Sequence, residues 1–337
     1  MDTFLIDQQL SANTVVTHHQ PKYLGNDVNP VVSPTMPWEG SGNLHGIRSA
    51  SAYSGGVWYD PDAEEYKMWY TCGPDPTRQI PAEAICLATS KDGLSFAKPV
   101  LSEAAVPGTN VVLNASMGRT VVWLDIDELD RQKRYKMSVV LANNTKVQPD
   151  GSYYGCFSFL QSADGVSWRP VPGGGQCSGP TGDSSTVFLN PFRSPTQWVY
   201  SIKSYPPADV AGPYGRSRSY WESETLGVGA DWTAAIASGP GPVGWEGPRP
   251  AHSWTNADVA DPEWKCGTAE PPGKPGGQNY TQLYNLDAVA YESVLVGLFS
   301  ILSGKYCPDG GGVNRTGEWD DVFVGFSRDG EKERSGL

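Results

Sequence analysis

Asp183 and Asp287 are the two residues of this chain best placed to do chemistry. Aligning the repeated strand starts Val57, Val122, Val187 and Val289 puts Gly55, Thr120, Ser185 and Asp287 at one level, with Asp183 two residues before Ser185. Side chains alternate along a strand, so Asp183 shares a face with Ser185, and Asn285 shares one with Asp287. Two carboxylates facing one pocket suit cleavage of a glycosidic bond. One donates a proton to the leaving oxygen and the other attacks or activates water. The competing role for each is capping or turn bonding beside Gly182 and Leu286. Both should be partly buried, with Arg119, Arg216 or Arg218 nearby to hold substrate or tune the acids. The separation of the two would decide the stereochemistry, about 5–5.5 Å for retention and about 6.5–9.5 Å for inversion.

Other side chains at the same end are candidate substrate contacts. Asn285 stands beside Asp287, and Asp321 follows Asp320 at the start of a late strand. His45 and Arg48 lie in a Gly- and Ser-rich link, and Trp254 lies in a Trp-rich link where its ring could stack on a sugar. Trp58 and Trp123 occupy equivalent strand positions and read as core. Asp60, Glu64, Glu65 and Glu292 fall in turns at the opposite end, as do Asp92, Asp164 and Asp329, and we assign all seven to structure.

The elements that position these residues repeat. Val57-Trp58-Tyr59-Asp60 with Tyr66-Lys67-Met68-Trp69-Tyr70 is echoed by Val122-Trp123-Leu124-Asp125 with Tyr135-Lys136-Met137-Ser138-Val139. A third copy is Val187-Phe188-Leu189-Asn190 with Trp198-Val199-Tyr200-Ser201, at a spacing of about 65 residues. A fourth, Val289-Ala290-Tyr291-Glu292 with Val294-Leu295-Val296-Gly297-Leu298, follows a longer gap. A hairpin at a fixed period is the mark of a radial β repeat. A second repeated element is the turn Ser90-Lys91-Asp92-Gly93, matched by Ser162-Ala163-Asp164-Gly165 and Ser327-Arg328-Asp329-Gly330. Asp-Gly between strands is a hairpin signal, here joining the third and fourth strand of a blade.

The reading is an all-β, five-bladed β-propeller in one domain, with four blades readable. Residues 1–49 supply closing strands and a link, and 50–101, 118–172 and 183–234 are blades one to three. Residues 236–282 are a long inter-blade loop, and 285–337 are an incomplete fourth blade. The fifth is expected beyond the end of the chain, which reads as truncated.

Composition agrees. Among 337 residues, 39 Gly and 28 Pro punctuate short strands, and 12 Trp with 16 Tyr supply aromatic packing. A net charge of -12 argues against nucleic acid, which needs clustered Lys and Arg. No apolar run is long enough for a membrane span. The six cysteines show no zinc-ligand spacing, and neither a metal nor a cofactor is expected. Cys72 and Cys86 flank one link within blade one and can bridge. Chain order alone suggests Cys156 with Cys177 and Cys266 with Cys307. Sequons at Asn114, Asn143, Asn279 and Asn314, with these pairings, point to a secreted or extracellular protein. The start at Met1 is not a signal peptide. Oligomeric state is left open.

The chain resembles the five-bladed β-propeller glycoside hydrolases of families 32, 43, 68 and 130, and more narrowly proteins described as glycosyl hydrolase family 32-like. The residues that carry this are Asn29-Pro30-Val31-Val32, Pro37-Trp38-Glu39, the Tyr66–Tyr70 strand, and Ser162 to Trp168. Gly182-Asp183-Ser184-Ser185-Thr186, Asn190-Pro191-Phe192-Arg193 and Tyr284 to Ser293 add to them. The Trp-Met-Asn-Asp-Pro, Arg-Asp-Pro and Glu-Cys motifs of family 32 are absent, and Tyr53, Ser54 and Gly55 stand where blade one would carry an axial carboxylate. The resemblance therefore implies fold and carbohydrate context, and the family's carboxylate set does not transfer. A glycosidase using Asp183 and Asp287 is the expected function. The alternative is a non-catalytic carbohydrate-binding propeller or an inactive relative.

Overall fold

A computed structural model describes residues 24–25, 29–40, 49–52, 56–81, 83–114, 116–147, 153–174, 177–182, 184–204, 216–232, 251–257, 281–303 and 319–330. The side chains of 116–119, 142–147, 153–154 and 253 are outside that description. Two units emerge, one within Val16–Cys177 and one within Ser178–Leu337.

The first unit holds two antiparallel sheets. One contains β1 (Ser49–Ser51), β2 (Val57–Asp60), β3 (Glu65–Gly73), β4 (Ala84–Ser90) and β5 (Val111–Leu113). Its innermost position is shared. β1 pairs with the end of β3 at Thr71–Gly73, while β2 pairs with its start at Glu65–Met68. The outer strand comes in two pieces, a single bridge of Ala97 to Thr89 and then β5 on Ile85 and Cys86. This blade thus reaches residue 113, beyond the 101 expected from its Asp-Gly turn. The second sheet pairs β6 (Ser116–Leu124), β7 (Tyr135–Val147), β8 (Tyr153–Ser162) and β9 (Arg169–Pro170) in chain order.

These two sheets pack face to face because both present apolar residues at alternate positions. Trp69, Ile85, Leu87 and Val112 of the first meet Val122, Leu124, Tyr135, Met137, Val139 and Leu160 of the second in one buried cluster. Trp58 packs against this core and donates its indole N–H to Val122 O at 2.8 Å, and its ring lies 4.7 Å from that of Trp123. The Asp-Gly turns behave as read. Ser162 Oγ accepts the N–H of Gly165 at 2.9 Å, and Asp164 Oδ1 accepts those of Val166 and Ser167 at 2.8 and 3.0 Å. Ser90 and Asp92 do the same for Gly93, Leu94 and Ser95.

Asp60 shows why the turn acids are structural. Its fully buried carboxylate accepts from Lys67 Nζ at 3.0 Å, from Arg134 Nη2 at 2.7 Å and from the Tyr135 hydroxyl. Lys67 Nζ continues to Asp164 O at 3.0 Å, so the end of β2 in one blade is tied to the Asp-Gly turn of the next. Burial would raise the Asp60 pKa, but Tyr135, Lys67 and Arg134 together hold it well below the usual carboxylate range.

Disulfides join Cys72 to Cys86 and Cys156 to Cys177, with Cα separations of 5.9 and 5.2 Å. Cys266 and Cys307 lie outside the described residues.

The second unit opens with β10 (Pro180–Thr181) and then a four-stranded sheet in chain order, β11 (Thr186–Asn190), β12 (Gln197–Ser204), β13 (Ser217–Ser223) and β14 (His252–Asn256). The link read as a loop over 236–282 therefore contains this sheet's outer strand. Its alternation carries Trp254 onto Tyr220 and Phe188, with ring centroids at 5.4 and 6.4 Å. The last sheet pairs β15 (Gln282–Tyr291), β16 (Val294–Ser303) and β17 (Trp319–Ser327). Asn190 repeats the role of Asp60 at the aligned position, its amide donating to Asp329 O at 2.7 Å. On the face of the last sheet that carries Asp287, Val289, Tyr291, Leu298, Val322, Val324 and Phe326 are exposed.

The described fold is thus all-β, with four blades of propeller type, two in each unit. A fifth sheet is not among the described residues. Two single 3-10 turns, Pro76–Arg78 and Arg131–Lys133, are the described helical segments, and no described helix is long and apolar enough to cross a membrane.

Candidate active site around Asp287

The site is built on β15. Leu283 pairs with Ile301 and Asn285 with Ser300, so Tyr284 is an extra residue that bulges from the ladder. The bulge leaves the Tyr284 carbonyl available, and Arg218 uses it. Arg218, on β13 of the neighbouring blade, is fully buried. Its Nη2 donates to Ser184 O at 2.6 Å, Tyr284 O at 2.9 Å and Asn285 Oδ1 at 2.7 Å. One guanidinium thereby ties β13, the approach to β11 and the first half of β15 together.

Asn285 passes this order on. Its Nδ2 donates to Asp287 Oδ2 at 2.9 Å. The amide orientation is set by chemistry, since only its oxygen can accept from Arg218 and only its nitrogen can donate to the carboxylate. Thr186, the first residue of β11, donates from Oγ1 to Leu286 O at 2.7 Å and also reaches the Asp287 carboxyl. Burial pushes the Asp287 carboxyl above its ordinary range, and the contacts with Asn285 and Thr186 and the Arg218 charge offset this only in part.

A second layer of charge surrounds the bulge. Lys203 is buried, with Nζ 4.7 Å from the Tyr284 ring centre, and Arg216 Cζ is 5.5 Å from it. Arg216 donates from its backbone N and from Nη1 to Gln282 Oε1, each at 2.9 Å. Ser185 Oγ accepts the Lys203 N–H at 3.0 Å. The approach to β11 runs so close that a Cβ on Gly182 would stand 2.9 Å from Lys203 Cβ. Asp320 and Asp321 follow Trp319 at the start of β17, opposite Leu302 and Ile301. Desolvation and the neighbouring Asp321 push the Asp320 carboxyl upward, while Ser300 and Arg216 oppose them.

The structure brings Asn285, Asp287, Arg216, Arg218 and Asp321 into one unit. Arg218 and Asn285 stand in direct contact with each other, and Asn285 with Asp287. Asp183, His45 and Arg48 lie outside the described residues. Arg119 is in β6 of the other unit, and its side chain is outside the description. Trp254 sits on the outer strand β14, packed on Tyr220 and Phe188. Asp287 itself lies mid-strand, opposite Leu298, because β15 starts five residues earlier at Gln282, whereas β11 starts at Thr186. Sequence reading missed Thr186, Lys203, Gln282 and Tyr284. Thr186 was legible in principle, one residue past Ser185 in the aligned strand starts. Lys203 was not, because only the pairing of β12 with β13 sets it opposite Arg218.

Solved glycoside hydrolases are similar in structure to this chain. No family model and no curated protein matches it. A glycosyl hydrolase from Bacteroides ovatus is 13% identical with a TM-score of 0.45, over 88% of this chain and 73% of that one. The β-fructofuranosidase of Schwanniomyces occidentalis, solved with fructosyl-erythritol, is 13% identical with a TM-score of 0.42, over 90% of this chain and 49% of that one. A structure from work on the GH130 mannoside phosphorylases and hydrolases is 12% identical with a TM-score of 0.41, over 82% and 68%. A further solved glycoside hydrolase is matched over 62% of its own length. This chain thus spans about half to two thirds of several proteins it resembles.

Proposed function

We propose that this chain is a glycoside hydrolase that cleaves a glycosidic bond with Asp183 and Asp287. The observation that carries the reading is Asp287. It is a half-buried carboxyl on an innermost strand, held by Asn285, with a pKa that desolvation pushes upward. A carboxyl with a raised pKa is suited to protonating a leaving oxygen, which is half of the two-carboxylate mechanism. Asp183 is the partner carboxylate, from its sequence position two residues before Ser185. Arg216 and Asp321 are substrate contacts at the rim. Arg119, His45, Arg48 and Trp254 complete the contacts proposed from sequence. The two disulfides support secretion, since such bonds persist in oxidising compartments.

Purified protein should release reducing sugar from some member of a panel of β-fructosides, β-mannosides, arabinosides and pectic oligosaccharides. Asp183→Asn and Asp287→Asn should each abolish that release with the fold retained. If sugars bind by calorimetry and no member of the panel is cleaved, the chain is a carbohydrate-binding propeller. Full activity in either Asn variant would remove that residue from the mechanism.

A further inference from the structure

We propose that the exposed apolar face of the last sheet binds the same face of a second copy of this chain, as a two-fold dimer. The face is shared by β15, β16 and β17. Val289, Tyr291, Leu298, Val322, Val324 and Phe326 lie on it, each between 40% and 69% exposed. They are cross-strand neighbours and form one patch. Val289 pairs with Val296 and Val296 with Phe326, while Asp287 pairs with Leu298 and Leu298 with Val324. The repeat shows what such a face packs against. Val324 and Val322 stand three and five residues before Ser327, as Leu87 and Ile85 stand before Ser90. Leu298 pairs with Val324 as Trp69 pairs with Leu87. In the first sheet Trp69, Ile85 and Leu87 are buried against the neighbouring sheet. In the last sheet the same positions are aliphatic and open, so this is a surface suited to another sheet.

Area and charge both fit a second copy. The six side chains expose roughly 600 Å² per copy, so a pair would bury about 1,200 Å², the lower bound of stable interfaces. A patch of that size is at the upper limit of what a monomer leaves open. Asp287 and Asp320 lie toward one end of the face, at the start of β15 and of β17. Val289, Val296 and Phe326 form an uncharged row nearer the other end. A two-fold axis along that row sets the strands of the two copies antiparallel. Phe326 then meets Phe326 of the second copy, and Asp287 meets the hydroxyl end of Tyr291 instead of another acid. Face-to-face stacking of sheets is ordinary packing, and a two-fold contact closes on itself without propagating into a fibre. The dimer would also cover Leu298, the cross-strand partner of Asp287, and shield one side of the acid from water.

Sedimentation equilibrium from about 1 to about 100 µM covers the range in which an interface of this size associates. The wild type should convert from monomer to a species of twice the mass. It should do so more readily at high salt, because each copy carries a net charge of -12 that salt screens. Phe326→Asp places a lone charge in the interface and should weaken the dimer about tenfold or more, as should Phe326→Lys. Mixed one to one, these two variants should form a heterodimer, because each charge then meets its opposite. Tyr291 is the more exposed position and gives a second pair free of folding effects. Tyr291→Asp should weaken the dimer by setting two acids together, and Tyr291→Lys should hold or tighten it against Asp287. A wild type that stays monomeric throughout overturns the proposal, whether the face then proves bare or is found to take a different protein. A dimer indifferent to Phe326→Asp and Tyr291→Asp overturns it too, since its contact would lie elsewhere. None of these readouts needs a substrate, so they are independent of whether the chain cleaves a sugar.

Discussion

Asn285 donates to Asp287 across 2.9 Å, from a residue whose other end is clamped by a fully buried arginine of the next blade. An acid placed by a chain of fixed hydrogen bonds does not reorganise when its charge changes, which is what acid catalysis needs. The arrangement has consequences for stability as well as chemistry.

The first concerns Asp287→Asn. Burial raises the folded-state pKa of Asp287, so the folded chain binds this proton more tightly than the unfolded chain does. Ionisation above the ordinary aspartate range therefore costs stability, and below that range the cost vanishes. The amide of Asn is neutral at every pH and can still accept from Asn285. Asp287→Asn should melt no lower than wild type at neutral pH and match it in acid. Thermal scans at both pH values measure this. A large loss at neutral pH would mean that the charged form is the stabilised one.

Asp60 has the opposite sign. Tyr135, Lys67 and Arg134 hold its carboxyl below the usual range, so its contribution is complete above the ordinary aspartate pKa and is lost as pH falls through the depressed value. Asp60→Asn leaves two buried cations without their carboxylate and should cost about 3–5 kcal/mol at neutral pH. Urea unfolding at neutral and acid pH would show a difference that narrows only in strong acid. A variant as stable as wild type would remove this cluster from the inter-blade bond.

Two glycines separate backbone strain from packing. Gly108 and Gly165 have φ of +77° and +79°, but a Cβ on Gly108 meets nothing within 4 Å, whereas one on Gly165 lies 2.5 Å from Cζ2 of the buried Trp69. Gly108→Ala should cost about 1 kcal/mol for the left-handed conformation. Gly165→Ala should cost about 2 kcal/mol more, because Trp69 must move in a packed core. Equal losses in chemical denaturation would show that the turn does not depend on its seat against Trp69.

The Cys72–Cys86 bond closes a short loop between β3 and β4. Replacing both by Ala should cost about 3 kcal/mol, the loop-closure entropy returned to the unfolded chain. Peptide mapping without reductant should recover Cys72 linked to Cys86 and Cys156 linked to Cys177. Free thiols at these four positions would contradict the pairing.

Much of the fold was legible in the sequence because its causes are local. A period-2 apolar pattern makes a strand, Asp-Gly makes its hairpin, and copies about 65 residues apart make blades. The same local rules placed Asn285 and Asp287 on one face, marked Asp92, Asp164 and Asp329 as turn residues, and paired Cys72 with Cys86. Tertiary structure decided the rest, through contacts between residues far apart in the chain. Strand β14 was hidden in a link rich in Gly, Pro and Trp, because its partner β13 lies some thirty residues back and supplies the hydrogen bonds that make it a strand. Arg218 read as a ligand contact from its place at the start of a strand. Its actual partners, Tyr284 and Asn285, are 66 and 67 residues away, and the bulge that exposes the Tyr284 carbonyl has no local signature. The raised pKa of Asp287 belongs to the same class, because the desolvation that causes it arises only when β11, β13 and β15 come together.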